Sequence, residues 1–200
     1  MRGAVSAGAT AALHYLGLAE SIDCVYGSSA GSMIGAYFVS RQFGGIGVYH
    51  NILPAAGRSF INKRKLVTTL GVPNRFASNN VFNLDFLLYK VMAESQKFDY
   101  DTFARNDAVQ PLHITTSRLD PIQVQVLSRE QGNFYDLPSL LECIRASMLV
   151  PGVTGPLMAL PLNASTPVLI PYPSRKDAKR LAAPAPDLLG DALMTEPIPY

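Results

Sequence analysis

The chain has 200 residues, of which 48% are hydrophobic and 16% charged, with a formal net charge of +2. That length and apolar content suit one globular domain with its own core, and so small a charge gives no argument for a nucleic-acid partner. Two cysteines, Cys24 and Cys143, stand too far apart for metal-ligand spacing, so they read as reduced, buried thiols of a cytosol-like compartment. The basic clusters, Arg58 with Lys63, Arg64 and Lys65, and then Arg175, Lys176, Lys179 and Arg180, read as solvated loops with at most a weak pull toward anionic head groups.

At the N-terminus, Ser6, Gly8, Thr10 and His14 interrupt the alanine-rich run, which argues for a helix over Gly3 to Glu20 rather than a cleaved signal. No window reaches about 18 uninterrupted apolar residues, so no membrane-spanning helix is expected. Ile22 to Tyr26 reads as a short buried strand, and Ser29 to Gln42 as a helix with Met33, Ile34, Tyr37 and Phe38 at helical spacing. Asn83 to Ser95 reads as an amphipathic helix capped by Asn83, and Asp99 to Asn106 as a short helix or turn. Leu112 to Ser117 and Gln123 to Ser128 are adjacent strands around a turn at Asp120 and Pro121. Ser139 to Met148 resumes a helical pattern that Pro151 and Gly152 end. The segment 161–186, rich in proline, alanine and basic residues, reads as a long loop or disordered insertion within a single domain over residues 1–200. The sequon Asn163-Ala164-Ser165, without a secretory signal, reads as coincidence.

Gly27, Ser28, Ser29, Ala30 and Gly31 match GxSxG, in which a sharp strand-to-helix turn lifts the serine oxygen clear of a sheet. The bare pattern arises by chance in roughly one chain in fifteen of this length, so the weight lies in its placement between an apolar strand and an amphipathic helix. The flanking glycines are expected to avoid collisions where strand and helix close up, and the helix start offers amide donors to a developing oxyanion. A base is then required. His14, His50 and His113 all stand outside the late position that the serine-acid-histidine order demands, which leaves a carboxylate whose pKa a dry neighbourhood would have to raise.

Beyond that pattern, the chain resembles the patatin-like phospholipases. The segment YGSSAGSMIGAYF matches the family's elbow, PLHITTSRLD and PIQVQVLS resemble its central strands, LLECIRASMLVPGVTGP its helix and following turn, and GDALMTEPIPY its late DGG or DGA motif. Arg2, Gly3 and Gly8 stand where the family carries the end of its glycine-rich loop and the following helix. The resemblance implies an α/β fold, a three-layer sandwich on a central, mainly parallel sheet, with the first strand missing. It also implies Ser29 as nucleophile and Asp191 as proton acceptor in a catalytic dyad, Arg2 and Gly3 in the oxyanion loop, and Gly27, Ala30 and Gly31 in the elbow. Leu149, Val150, Val153, Leu157 and Met158 are candidates for an acyl channel.

Three departures accompany the resemblance. The strand and leading glycines of the family's GGGxRG loop are absent before Met1, Ala192 follows Asp191 where the family has glycine, and the chain stops at Tyr200 where the family continues. These imply an N- and C-terminally truncated member. The implied activity is a lipid acyl hydrolase cleaving carboxylic esters of phospholipids or acylglycerols through an acyl-enzyme. It needs no cofactor and no metal, and is placed in the cytoplasm or peripherally at membranes or lipid droplets; it is not expected to be secreted. The oligomeric state stays open. One rival is a lipid-binding or regulatory form with an incomplete oxyanion hole; another is a phosphate cradle at Gly27 to Gly31, which lacks the lysine of a P-loop.

Overall fold

The computed structural model describes residues 3–62, 81–119, 121–150, 153–156, 158–161, 164–169 and 187–191. Arg2, the basic residues 63–65 and 175–180, Asp120, Pro151, Gly152, Leu157, Asn163, Ala192 and most of the proline-rich segment lie outside them.

Helix α1, Gly3–Tyr15, ends earlier than the alanine-rich run suggests. Gly17 stops it by taking φ 72°, which glycine adopts without a Cβ penalty. The Leu18 amide then donates to the Leu13 carbonyl and the Gly17 amide to that of His14, both at 2.9 Å, so orphan carbonyls of the last turn are satisfied in a Schellman arrangement. Strand β1 is Val25–Ser28 and helix α2 is Ala30–Val39, with Ser29 alone between them. The strand starts later than its apolar residues suggest because pairing begins only where Val25 donates to Pro111, at 2.9 Å. Cys24 and Tyr26 are exposed, which corrects the expectation of a buried strand and a buried thiol there. Cys143 is buried as expected.

Two short helices, α3 (Phe43–Ile46) and α4 (Ile52–Ala56), lead toward Phe60. Asn83 does cap the next helix, since its Oδ1 accepts from the Phe86 amide at 3.0 Å, and Phe86–Ser95 is wound as a π-helix that buries Leu87, Leu88, Val91 and Met92. Helix α5, Tyr100–Asp107, is capped by Asp99 through the Thr102 amide. Strands β2 (Leu112–Leu119) and β3 (Ile122–Ser128) form the expected hairpin. Helix α6, Leu137–Ser147, begins at a capping box in which Asp136 accepts from the Ser139 amide at 2.8 Å and ends at Met148. Three further strands follow: β4 (Met158–Leu160), β5 (Val168–Leu169, inside the proline-rich stretch) and β6 (Asp187–Asp191).

These strands form one sheet in the order β1-β2-β6-β4-β5, with β3 also on β2. The α/β architecture is as expected, and among the described residues the pairing is mixed. β1 runs parallel to β2, and the described residues between them are mainly helical, whereas the β2–β3, β2–β6, β6–β4 and β4–β5 pairs are antiparallel. Along β2, His113 pairs with both Tyr26 and Ser128, while Thr116 pairs with both Gln125 and Asp191. β3 therefore occupies one edge of β2, and β1 and β6 share the other. Because β1 is parallel and β6 antiparallel to β2, they meet there C-terminus to C-terminus, with Ser28 opposite Thr115 and Asp191 opposite Thr116.

Leu112, Ile114 and Thr116 point to one face of β2, as alternation requires, and are fully buried. That face carries α2, packed so closely at Gly35 that an added Cβ would lie 2.8 Å from Leu112 Cδ1, and α6, whose Ala146 carbonyl accepts from Thr116 Oγ1 at 3.3 Å. The core continues from there through Met33, Tyr37, Phe103, Phe134, Leu140 and Ile144, each worth about 1.5–3 kcal/mol of apolar burial. On the opposite face Tyr26 stacks on His113 with ring centroids 4.7 Å apart, and Tyr26, Ile122 and Val124 are exposed.

Candidate active site

Ser29 has φ 52° and ψ −123°, a conformation costing a non-glycine residue about 1–3 kcal/mol unless its surroundings impose it. They do so on both sides. A Cβ at Gly27 would lie 2.6 Å from Ser32 Cα and 2.7 Å from the Gly31 carbonyl oxygen, so only glycine lets the strand turn this sharply into α2. The Ser29 carbonyl accepts from the Ser32 amide at 3.0 Å and from Ser32 Oγ at 2.6 Å, while its amide donates to Ser147 Oγ at 2.8 Å. Gly31 differs from the collision expected there: a Cβ would meet nothing within 4 Å. It borders open space, and that space is the cavity described next.

The cavity, of about 460 Å³, is bordered by Gly3, Ser28, Ser29, Ala30, Gly31 and Asp191, with an apolar wall that includes Leu53, Phe60, Leu87, Met148 and Val150. The volume falls in the range of small-molecule sites. Among the described lining residues Asp191 is the single carboxylate. His14, against Phe43 at 3.5 Å between centroids, and His113, against Tyr26, are engaged elsewhere, and His50 is also absent from the lining. Of the residues expected to line an acyl channel, Val150 does so; Leu149 and Met158 instead belong to the closed core, Val153 is not part of the lining, and Leu157 lies outside the described residues. The wall draws on Leu53 of α4, Phe60 and Leu87 of the π-helix; the sequence pattern reads the last as part of an amphipathic helix and assigns the first two to no element. Their apolar character was visible, but their partner surface is set by packing between distant segments.

Asp191 is the last described residue of β6 and is buried. Its amide donates to the Leu149 carbonyl at 2.7 Å, and its own carbonyl accepts from Ser117 Oγ at 2.8 Å. Beside it, Thr116 Oγ1 donates to the Gly190 carbonyl at 2.5 Å. Gly3 sits at the start of α1 against Ala30 and Tyr49, a Cβ there falling 2.9 Å from Ala30 Cβ and 2.7 Å from the Tyr49 ring. The buried Tyr49 hydroxyl donates to the Ala30 carbonyl at 3.1 Å, and burial pushes that phenol far above its ordinary range, so it stays a neutral donor. The N-termini of α1 and α2 thus converge beside Ser29, and their first-turn amides, without intrahelical acceptors, favour negative charge in the cavity. Arg2 lies outside the described residues.

Chemically, a hydroxyl, a carboxylate, an anion-favouring pair of helix ends and an apolar wall share one cavity. That is the inventory of acyl transfer without a histidine. Among the described residues no helix is long and apolar enough to cross a membrane, and no group of three or more His, Cys, Asp or Glu side chains could hold a metal ion. No curated protein and no solved structure matches the chain significantly. A family model described as patatin-like phospholipase matches residues 1–172, which takes in the elbow, α6 and the cavity wall but stops short of Asp191. With that match over most of its length, the chain belongs to the patatin-like phospholipase family, a family of lipid acyl hydrolases.

Proposed function

We propose that this chain hydrolyses carboxylic esters of phospholipids or acylglycerols through a Ser29–Asp191 dyad. The observation that carries the reading is the meeting of β1 and β6 on one edge of β2, which brings a strained serine and a buried carboxylate to one apolar cavity. Ser29 Oγ attacks the ester carbonyl carbon while the Asp191 carboxylate accepts its proton. The oxyanion faces the first-turn amides of α2 at Ala30 and Gly31 and the start of α1 at Gly3, where a preorganised donor is worth about 10²–10³ in rate. Collapse breaks the ester C–O bond, and Asp191 returns the proton to the departing alcohol. Water, deprotonated by the same carboxylate, then attacks the acyl-enzyme and releases the fatty acid and free serine. The acyl chain lies along Leu53, Phe60 and Leu87. A membrane or lipid-droplet surface is the source of such substrates, and the exposed Val5, Tyr15 and Leu16 on and after α1 suit contact with it.

The test is turnover of a short, soluble chromogenic ester by the folded chain, compared with Ser29→Ala and Asp191→Ala. Loss in both variants supports the dyad. Equal background in all three, with fatty acid still bound, would make the chain a lipid binder instead.

A further inference from the structure

The elbow is held by a residue to which neither the GxSxG pattern nor the family's dyad gives a part. Ser147, the last residue of α6, is fully buried. Its hydroxyl donates to the Thr115 carbonyl at 2.6 Å and accepts from the Ser29 amide at 2.8 Å. Thr115 pairs with Ser28, and the next residue, Thr116, pairs with Asp191, so this hydroxyl sits at the junction where β1 and β6 both end. Two residues further on, the Leu149 carbonyl accepts from the Asp191 amide at 2.7 Å.

We propose that Ser147 is a positioning residue for the reaction: its hydroxyl fixes the Ser29 backbone in the elbow conformation and, with the Leu149 carbonyl, references serine and aspartate to one end of α6. This rests on the dyad proposed above. A strained backbone persists only where its surroundings over-determine it, and among the described residues the acceptor of the Ser29 amide is this buried hydroxyl. Engaging that amide also removes it from the oxyanion hole, which leaves the task to Ala30 and Gly31 and to the start of α1 at Gly3. Without the hydroxyl, both the Ser29 amide and the Thr115 carbonyl lose a partner at a buried point, and the serine relaxes away from attack geometry. Displacements near 1 Å at a reacting group cost about 10²-fold in rate.

The experiment compares steady-state kinetics of wild type, Ser147→Ala, Ser147→Thr, Ser29→Ala and Ser128→Ala on the soluble ester, with thermal unfolding of each. Ser128 is a buried control whose hydroxyl accepts from the Gln131 amide, away from the cavity. Ser147→Ala should lose about 30- to 100-fold in kcat with KM changed by less than about twofold, Ser147→Thr should recover most of it by keeping the hydroxyl, and Ser128→Ala should keep the wild-type kcat. Where Ser147→Ala does not fold, Ser147→Cys, near in volume but a poor acceptor, takes its place with the same expectation. A full kcat in the folded variant overturns the proposal, and so does failure of both variants to fold, which would make Ser147 structural. Turnover surviving in Ser29→Ala would instead overturn the underlying dyad, whatever Ser147 does.

Discussion

Ser29 and Asp191 are placed by opposite strategies. The serine owes its geometry to neighbours in the chain: Gly27 permits the turn, Ser32 closes on the Ser29 carbonyl, and α2 starts at the next residue. Among the described residues, its one hydrogen bond to a distant segment is from its amide to Ser147 Oγ. The described contacts of the aspartate are of another kind. It is held by pairing with Thr116, by Ser117 Oγ and by the Leu149 carbonyl, all distant in sequence, so its position is a product of sheet register. A one-residue slip would turn its side chain to the other face. The local site tolerates little substitution, and the distant one tolerates little misfolding.

The largest expected effect removes either end of the pair. Under the proposed dyad, Ser29→Ala should lower kcat by about 10⁴-fold or more, as loss of a nucleophile does in serine hydrolases, without changing the thermal midpoint downward, because the strain of an Oγ-bearing elbow is not what holds the sheet. Asp191→Asn, which keeps shape and removes the base, should cost about 10²–10⁴-fold. Residual activity of Asp191→Asn above a tenth of wild type would mean that another group takes the proton.

Next come the two elbow glycines, which the pattern treats alike and the geometry separates. Gly27→Ala drives a methyl into backbone atoms at 2.6–2.8 Å and should destabilise by about 1–3 kcal/mol or more, with activity falling about 10²-fold as the serine shifts. Gly31→Ala meets open space and should be as stable as wild type or gain up to about 1 kcal/mol from helix propensity. It should nonetheless lose activity, because the methyl enters the cavity beside the proposed oxyanion donors. Chemical denaturation alongside ester kinetics separates the two; equal stability losses would show that the open space at Gly31 is filled by something essential.

How much of this was legible in the sequence follows the same division. The elbow, the Asn83 and Asp99 caps and the β2–β3 hairpin are set by side chains within a few residues of one another, and their signals stand in consecutive letters. Two strand-level details were misread. The apolar letters of β1 precede its hydrogen bonds, so the sequence alone starts the strand early, and cysteine spacing that argues for a plain reduced thiol at Cys24 carries no information on which side of the sheet edge is covered. The wall of Leu53, Phe60 and Leu87, the shared edge of β2 and the part played by Ser147 depend on register and packing between remote segments. The signal for Ser147 was present in the RAS triplet that carried part of the family resemblance, but nothing in the triplet itself says that the hydroxyl faces the elbow.

A smaller effect probes the distant strategy through the helix that serves it. The cap at Asp136 starts α6, and Asp136→Ala removes the acceptor of the Ser139 amide, which should cost about 1 kcal/mol of stability and leave kcat nearly unchanged, since the loss lies at the far end from Ser147. A drop in kcat beyond a fewfold would mean that the end of α6 moves when its start frays.

The smallest effect on activity, and the finest test of the comparison, uses the two thiols. Cys24 is exposed just before β1, whereas Cys143 is buried one turn before Ser147, and burial pushes its thiol well above the ordinary range. A thiol reagent at neutral pH should modify Cys24 in the folded protein at nearly the rate of a free cysteine, and Cys143 more slowly by about 10³-fold or more, through opening of the structure. If α6 belongs to the same cooperative unit as the sheet, the free energy inferred from Cys143 labelling equals that of global unfolding. A much smaller value would show that α6 opens on its own. The aspartate would then be referenced to an element that leaves its place while the elbow stays folded, and the two strategies would differ in dynamics as well as in origin.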